Sequence, residues 1–183
     1  EINLAHQFTE SQKAAAPPSL EPPGWEYGYG EFDPISKRVK HFERLPHFTG
    51  TAFQGGATLP DSKLGWAMLS ANGGHAGNDF QHAAIRRWIA PGDGNLAIDG
   101  TLSHDSEQGD GVRGRIVSSR LGELGQWLVH HGQEKTKLKD VAVKRGETID
   151  FVTDCRAHEN NDTFAWSPVI KYVNGPDKTV SGQ

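Results

Sequence analysis

Short runs of β-branched and aromatic residues recur from residue 25 onward at a spacing of roughly 8–15 residues, and Gly, Pro, Asn or Asp bounds each run. Stretches with the apolar period of a helix are almost absent, so the pattern predicts antiparallel β structure. The predicted strands cover residues 25–32, 39–45, 66–69, 83–90, 95–102, 112–118, 126–131, 138–144, 148–155 and 164–173. Since one open sheet of so many strands would leave an apolar face in water, we expect an all-β fold: a two-sheet, jelly-roll-like antiparallel β-sandwich.

The alternation of side chains within these strands indicates which face of each strand is buried. In residues 112–117, Arg113 and Arg115 share one face and the apolar side chains share the other. In residues 84–90 each face carries one arginine, Arg86 or Arg87, which predicts a central strand that bears a polar site. The side chains predicted to be buried in the core are Val112, Ile116, Ile149 and Phe151.

The two ends of the chain differ in composition from the rest. Residues 1–24 contain four prolines after Lys13, which remove backbone donors and forbid a continuing helix, so this segment is predicted to be a linker or N-terminal arm. Residues 174–183 are polar and rich in turn-forming residues and are predicted to be a second linker. The β-sandwich domain is therefore expected at residues 25–173. Because Glu1 starts no leader pattern, the chain is expected to be a piece of a longer protein.

Charge and composition argue against several classes of partner. The chain has 19 Lys+Arg against 23 Asp+Glu, and this net charge of −4 gives no attraction to nucleic acid or to an anionic membrane. The apolar runs are too short to cross a bilayer. The single cysteine, Cys155, allows no internal disulfide and no Cys-x-x-Cys-His haem attachment motif. We therefore expect no nucleic-acid or membrane partner.

An aromatic stripe begins the predicted domain. Trp25, Tyr27 and Tyr29 share one strand face, with glycines and Glu26 between them. Such a stripe is typical either of a core face or of a flat surface that stacks on sugar rings, and the Tyr hydroxyls favour a partly wet position. Tyr27 and Tyr29 are therefore candidates for ligand binding, and the core alternative stays open.

A polar, glycine-rich loop precedes the strand at residues 83–90. Residues 72–82 hold two His, two Asn, one Asp and three Gly, so the backbone can bend sharply and bring side chains together. His75 and Asn78 are the ligand-binding candidates of this loop. The alternative is that its Asn and Asp side chains only cap the turn backbone.

Four arginines lie within predicted strands, where guanidinium groups are unusual unless they are paired or face a ligand. An arginine fork matches a carboxylate or a sulfate with two hydrogen bonds. Arg87, Arg113 and Arg115 occupy positions that align on one sheet face and are candidates for binding an anionic group. The alternative is internal pairing with one of four aspartates: Asp79, Asp99, Asp110 or Asp150.

The turn at residues 104–111 is acidic. Asp105, Glu107 and Asp110 offer carboxylates that a hard cation such as calcium accepts, and they are the candidate metal ligands. The alternative is a solvated turn that shapes the hairpin before residue 112. We expect the solvated turn, and therefore no cofactor, with calcium as the one alternative.

Longer motifs extend over residues 25–172. They include Trp25-Glu-Tyr-Gly-Tyr-Gly30, Leu45-Pro-His-Phe-Thr-Gly50, Gln81-His-Ala-Ala-Ile-Arg-Arg-Trp88, Gly109-Asp-Gly111, Arg113-Gly-Arg-Ile-Val-Ser-Ser-Arg120 and Gly146-Glu-Thr-Ile-Asp-Phe-Val152. With these motifs the chain resembles an insert of large exported planctomycete proteins that join a c-type cytochrome domain to two uncharacterised planctomycete domains. Parts between Trp88 and Trp166 also resemble jelly-roll modules appended to exported carbohydrate-active proteins. The resemblance implies an extracytoplasmic location, periplasmic or at the cell surface, and a sugar-binding role in a polysaccharide-related parent whose haem lies outside this segment.

These observations predict a non-catalytic carbohydrate-binding module that tethers a larger, cytochrome-containing exported protein to a polysaccharide, with the arginines favouring an anionic glycan. Its partners would be a polysaccharide or oligosaccharide and the other domains of the parent. The alternative is a structural module that docks the domains of the parent together and has no glycan ligand. A glycan-cleaving enzyme is a third hypothesis, although no nucleophile elbow, phosphate loop or Ser/His/Asp signature is present in the sequence.

Overall fold

Sixteen β-strands make up most of residues 24–173, the part of the chain that the computed structural model describes. The linkers predicted at 1–24 and 174–183 lie outside these residues, apart from Gly24. The strands are β1 (Trp25–Asp33), β2 (Arg38–Arg44), β3 (His47–Phe48), β4 (Ala52–Gln54), β5 (Met68–Ser70), β6 (Gly73–His75), β7 (Ala83–Ile89), β8 (Gly94–Asp99), β9 (Thr101–His104), β10 (Val112–Ser118), β11 (Gly122–Val129), β12 (Gly132–Lys135), β13 (Leu138–Val143), β14 (Thr148–Asp154), β15 (Thr163–Trp166) and β16 (Val169–Tyr172). One 3-10 turn, Phe80–His82, precedes β7. Nowhere in the described part does a helix have the length and apolar character needed to cross a membrane.

The strands form two large antiparallel sheets and one small one. The six-stranded sheet has the order β11-β10-β14-β7-β1-β2, and the seven-stranded sheet has the order β12-β9-β15-β6-β5-β4-β3. The small sheet, with the order β13-β8-β16, was not expected from the pattern. The all-β antiparallel sandwich is confirmed, and β7 is a central strand with β14 and β1 as its neighbours.

Two predicted strands are each divided into two. Residues 95–102 break at Gly100 into β8 and β9, and residues 164–173 break before Pro168 into β15 and β16. Glycine tolerates the bend, and proline cannot donate to a continuing ladder. At both breaks the chain passes between the seven-stranded sheet and the small sheet, so these two residues allow the third sheet to form.

Aromatic rings from the two large sheets meet in one core. Tyr27 stacks on Phe53 with ring centroids 4.9 Å apart, and Phe151 meets the edge of Trp166 at 5.5 Å. Every side chain predicted for the core is at most 1% exposed: Val112, Ile116, Ile149 and Phe151. The face assignment of β10 and β14 is therefore confirmed.

Arg86 is a charged residue inside this core and is 2% exposed. Its guanidinium crosses between the sheets and donates to the main-chain carbonyls of Ser70, Ala71 and Gly73 at 2.7, 3.1 and 2.6 Å. Burial lowers the pKa of Arg86 to about 10, so it stays protonated at neutral pH. The charge is thus held by the carbonyls of the turn between β5 and β6.

Candidate functional site

The aromatic stripe of β1 belongs to the core. Trp25, Tyr27 and Tyr29 are 4%, 1% and 4% exposed, because the face of β1 that carries them is covered by the seven-stranded sheet. The Tyr29 hydroxyl donates to a Glu43 carboxylate oxygen. The hypothesis that Tyr27 and Tyr29 form an exposed sugar-stacking surface is therefore wrong, and the core alternative is correct.

The three candidate arginines share the outer face of the six-stranded sheet, as predicted from their alternation. Each of them is engaged by a carboxylate of the same face. Arg87 donates to both oxygens of Asp150 at 2.8 and 2.9 Å, and Arg113 donates to both oxygens of Asp154 at 2.9 and 3.1 Å. Arg115 donates to Asp154 as well.

Further contacts fix these arginines in place. Arg115 donates to Glu123 at 3.1 Å, and the guanidinium carbons of Arg87 and Arg115 lie 4.0 and 4.3 Å from the ring centroids of Phe42 and Phe32. Asp150 is almost fully buried, which raises the pKa of its carboxyl although Arg87 opposes the shift. The arginine forks that were candidates for binding a glycan carboxylate or sulfate thus bind carboxylates of the protein itself. A depression of about 330 Å³ is lined by Arg113, Arg115 and Asp154, and both arginines already pair with this aspartate.

The acidic turn does not gather its carboxylates. Asp105 and Glu107 are exposed, and Glu107 lies 3.6 Å from a ring nitrogen of His131. Asp110 turns toward the loop after β14 and accepts a hydrogen bond from the Ala157 amide at 3.0 Å. Among residues 24–173 no three His, Cys, Asp or Glu side chains form a group that could hold a metal ion. A calcium site made by Asp105, Glu107 and Asp110 together is therefore wrong.

A cleft of about 670 Å³ lies on the outer face of the seven-stranded sheet. We call it the outer groove, and its lining includes Trp66, Met68, Ser70, Gly73, His75, Glu159, Asn161, Thr163 and Ala165. Two depressions of about 230 and 400 Å³ share lining residues with it, namely Thr163 and Ala165 for one and Asn72 and Ala165 for the other. The three hollows therefore adjoin one another on this face of the sheet.

The floor of the outer groove is made of small side chains. Gly73, Ala165 and Ser103 are register partners on β6, β15 and β9 and therefore point to the same outer face. A Cβ at Gly73 would lie 2.0 Å from the Phe164 carbonyl oxygen, so the close approach of β6 and β15 requires glycine there. Small residues leave the middle of the sheet open to a ligand.

An exposed tryptophan forms one wall. The Trp66 side chain is 41% exposed, and its ring centroid lies 6.1 Å from that of His75. The Trp66 amide donates to the Asn78 side-chain oxygen at 3.4 Å, and Gly65 has a φ of +59° with no room for a Cβ beside Asn78. Of the two loop candidates, His75 thus lies in the groove, whereas Asn78 lies outside it and positions Trp66.

His75 presents an acceptor to the groove. Burial lowers the pKa of His75, so its ring is neutral at pH 7. Its Nδ1 lies 2.7 Å from the Ala76 carbonyl oxygen, which can only accept, so Nδ1 carries the proton. This tautomer leaves Nε2 as an acceptor for a ligand hydroxyl.

The opposite wall is the loop 155–162, which joins β14 to β15. Its residues Glu159, Asn160 and Asn161 line the groove, and the Asn161 carbonyl accepts a hydrogen bond from His104 Nε2 at 2.7 Å. Neither this wall nor Trp66 was among the binding residues predicted from the sequence. An Asn-Asn pair in a loop between strands and a Trp that follows Gly were the available signals, but neither is specific.

No protein-family model matches the chain, and a search of curated proteins finds no match. The function is therefore inferred from the residues of this chain.

Proposed function

We propose that the chain is a non-catalytic carbohydrate-binding module and that a neutral glycan lies in the outer groove. The observation that carries this proposal is the position of Trp66, an exposed ring at the wall of a groove with a floor of small residues. Such a ring offers an apolar face to a sugar ring, while nearby polar groups fix the orientation of the sugar. Those groups are His75 Nε2 and the side chains of Asn72 and Asn161.

The charges of the groove favour a neutral glycan over the anionic one predicted from the arginines. Among the described residues that line the main cleft, Glu159 is the only permanently charged one, and it would repel a uronic acid or a sulfate. Arg87, Arg113 and Arg115 lie on the other sheet with their forks engaged by Asp150 and Asp154. These three arginines are therefore not placed to hold an anionic polymer in the groove.

The groove also favours binding without catalysis. Glycoside hydrolysis ordinarily uses two carboxyl groups on either side of the scissile bond. Among the described lining residues, Glu159 is the one carboxylate of the main cleft, and the two adjoining depressions have Asp105 and Asp99, so each hollow has a single carboxylate. A reducing-sugar assay with each bound glycan should therefore detect no new reducing ends. Their appearance would contradict the non-catalytic role and indicate a glycan-cleaving enzyme.

The resemblance to planctomycete exported proteins supplies the setting of the proposal. In that setting the module lies outside the cytoplasm and tethers a cytochrome-bearing parent to a polysaccharide. A weak single-site interaction is sufficient for tethering, because a second domain that engages the same polymer raises the effective concentration. The alternative, a module that docks domains of the parent together, predicts a protein partner for the same surfaces.

The test is a glycan array probed with the isolated chain, followed by calorimetric titration of each hit. Trp66→Ala should weaken binding by about tenfold or more, because it removes the stacking face. Leu128→Ala is the matched control, since Leu128 is a 52% exposed apolar side chain on β11, in the six-stranded sheet. It should bind like the wild type. No binding to any glycan, or equal binding by Trp66→Ala, would contradict the proposal, and the former result would favour the docking module.

A further inference from the structure

Asp162 ends the loop 155–162 and is fully buried, and neither of its carboxylate oxygens has a hydrogen-bond donor. Asp110, in the loop between β9 and β10, has a third buried carboxylate oxygen without a donor, Oδ1. A buried ionised carboxylate strongly destabilises a fold unless a donor, a cation or a proton compensates it. Asp162 is such a carboxylate, and Asp110, which is partly exposed and whose Oδ2 is bonded, adds one donor-free oxygen in the neighbouring loop.

The two loops are in direct contact. Besides the bond from the Ala157 amide to Asp110 Oδ2, the Arg156 guanidinium donates to the Asp110 main-chain carbonyl. A Cβ on Gly109 would lie 2.2 Å from the Asn160 carbonyl oxygen, so the two backbones pass close to each other here. The donor-free oxygens of Asp110 and Asp162 thus belong to one interface between two loops.

The charges around Asp162 are mostly of its own sign. Burial, together with the carboxylates of Asp110 and Glu159, raises the pKa of Asp162 to about 8, and Arg156 opposes this shift. Asp154 also raises it, but Asp154 has Arg113 and Arg115 as partners. The Arg156 Nε lies 3.9 Å from Asp110 Oδ2, so Asp162 is the carboxyl group of this interface that has neither a hydrogen-bond donor nor an ion-pair partner among the described residues.

We propose that Asp110 and Asp162 hold a divalent cation, and that this cation is Ca²⁺. Calcium takes carboxylate, main-chain carbonyl and water oxygens in flexible geometry, so two carboxylates suffice when carbonyls and water complete the shell. A thiophilic ion is disfavoured, because burial raises the pKa of the neighbouring Cys155 thiol to about 12 and keeps it protonated. The site uses Asp110 of the sequence-predicted trio and replaces Asp105 and Glu107 with Asp162.

The position of this site gives it a structural consequence. The loop 155–162 carries Glu159, Asn160 and Asn161, which form one wall of the outer groove. A cation between Asp110 and Asp162 fixes that wall to the loop before β10. Calcium binding here does not depend on any glycan, so the site stands whether or not the groove binds a sugar.

The test is calcium binding by the chelator-treated chain without a glycan, followed by calorimetric titration and by thermal unfolding. We expect one calcium ion per chain, and at calcium about 100 times Kd the Tm should rise by about 5–10 °C relative to EDTA. Asp162→Asn should lose the titration heat and the Tm shift. Asp105→Asn is the matched control, because Asp105 is an exposed carboxylate of the same loop as Asp110, and it should respond to calcium like the wild type.

The outcomes separate the cation from a merely protonated carboxyl group. An unchanged Tm and no titration heat for the wild type at millimolar calcium would overturn the proposal, and so would a full calcium response in Asp162→Asn. If Asp162→Asn does not fold, Asp110→Asn replaces it, with the same expected loss of the calcium response. A wild-type response that Asp110→Asn retains would likewise overturn the site.

Discussion

Arg86 on β7 donates a hydrogen bond from Nη2 to the Gly73 carbonyl oxygen on β6 at 2.6 Å, so a buried positive charge joins the two large sheets. The same guanidinium binds the carbonyls of Ser70 and Ala71, which complete the turn between β5 and β6. Ser70 and Gly73 also line the outer groove. One side chain of the six-stranded sheet therefore supports the floor of the proposed site from beneath.

Arg86→Lys should destabilise the fold by about 2–3 kcal/mol, because one ammonium cannot reproduce the fork that serves three buried carbonyls. Arg38→Lys is the matched control, since the Arg38 guanidinium also donates to main-chain carbonyls but is exposed. It should change stability by less than about 0.5 kcal/mol. Urea unfolding of the three proteins makes the measurement, and equal midpoints for Arg86→Lys and the wild type would show that the fork is dispensable.

Glycan affinity should be nearly independent of salt. Between about 50 and about 500 mM NaCl we expect less than a twofold change, because screening weakens contacts between charges and leaves neutral-sugar contacts intact. Arg113→Lys, which keeps the charge but loses the planar fork, should bind like the wild type in both buffers. A steep loss of affinity with salt, or weaker glycan binding by Arg113→Lys, would indicate that the glycan binds the outer face of the six-stranded sheet and not the outer groove.

Asp162 should make stability depend on pH in the absence of calcium. Its folded pKa, about 8, lies above that of an unfolded aspartate, about 3.9, so between these values the folded state binds more protons than the unfolded state. This group therefore makes the free energy of unfolding fall as pH rises from about 4 to about 8. Asp162→Asn should lose that contribution. Urea unfolding in EDTA at several pH values tests it, and parallel curves for the two proteins would show that Asp162 ionises normally.

The faces of the strands can be predicted from the sequence because alternation is a local property. It correctly places Arg86 and Arg87 on opposite faces of β7, and Phe151 in the core. It gives no information on what covers a face. Trp25, Tyr27 and Tyr29 share a face as predicted, but only the position of the second sheet decides that this face is buried.

The partners of polar groups depend on the order of strands, which local patterns do not give. Asp150 and Asp154 follow Arg87 and Arg113 by 63 and 41 residues, and β14 brings them alongside both arginine strands. The outer groove likewise combines Trp66 with loop residues near Asn161 that lie far along the chain. His75 is the one predicted ligand residue that lies in this groove.

The most direct test of the proposed glycan site is an NMR titration of the labelled chain with the best oligosaccharide from the array, in which the Trp66 indole signal and the backbone amides are followed. The account predicts shifts that are confined to the outer groove, at Trp66, Gly73, Gly74, His75, Asn161 and Thr163. Signals from the outer face of the six-stranded sheet, including Arg113 and Arg115, should stay unchanged. Shifts centred on those arginines, or none in the groove under saturating sugar, would contradict it.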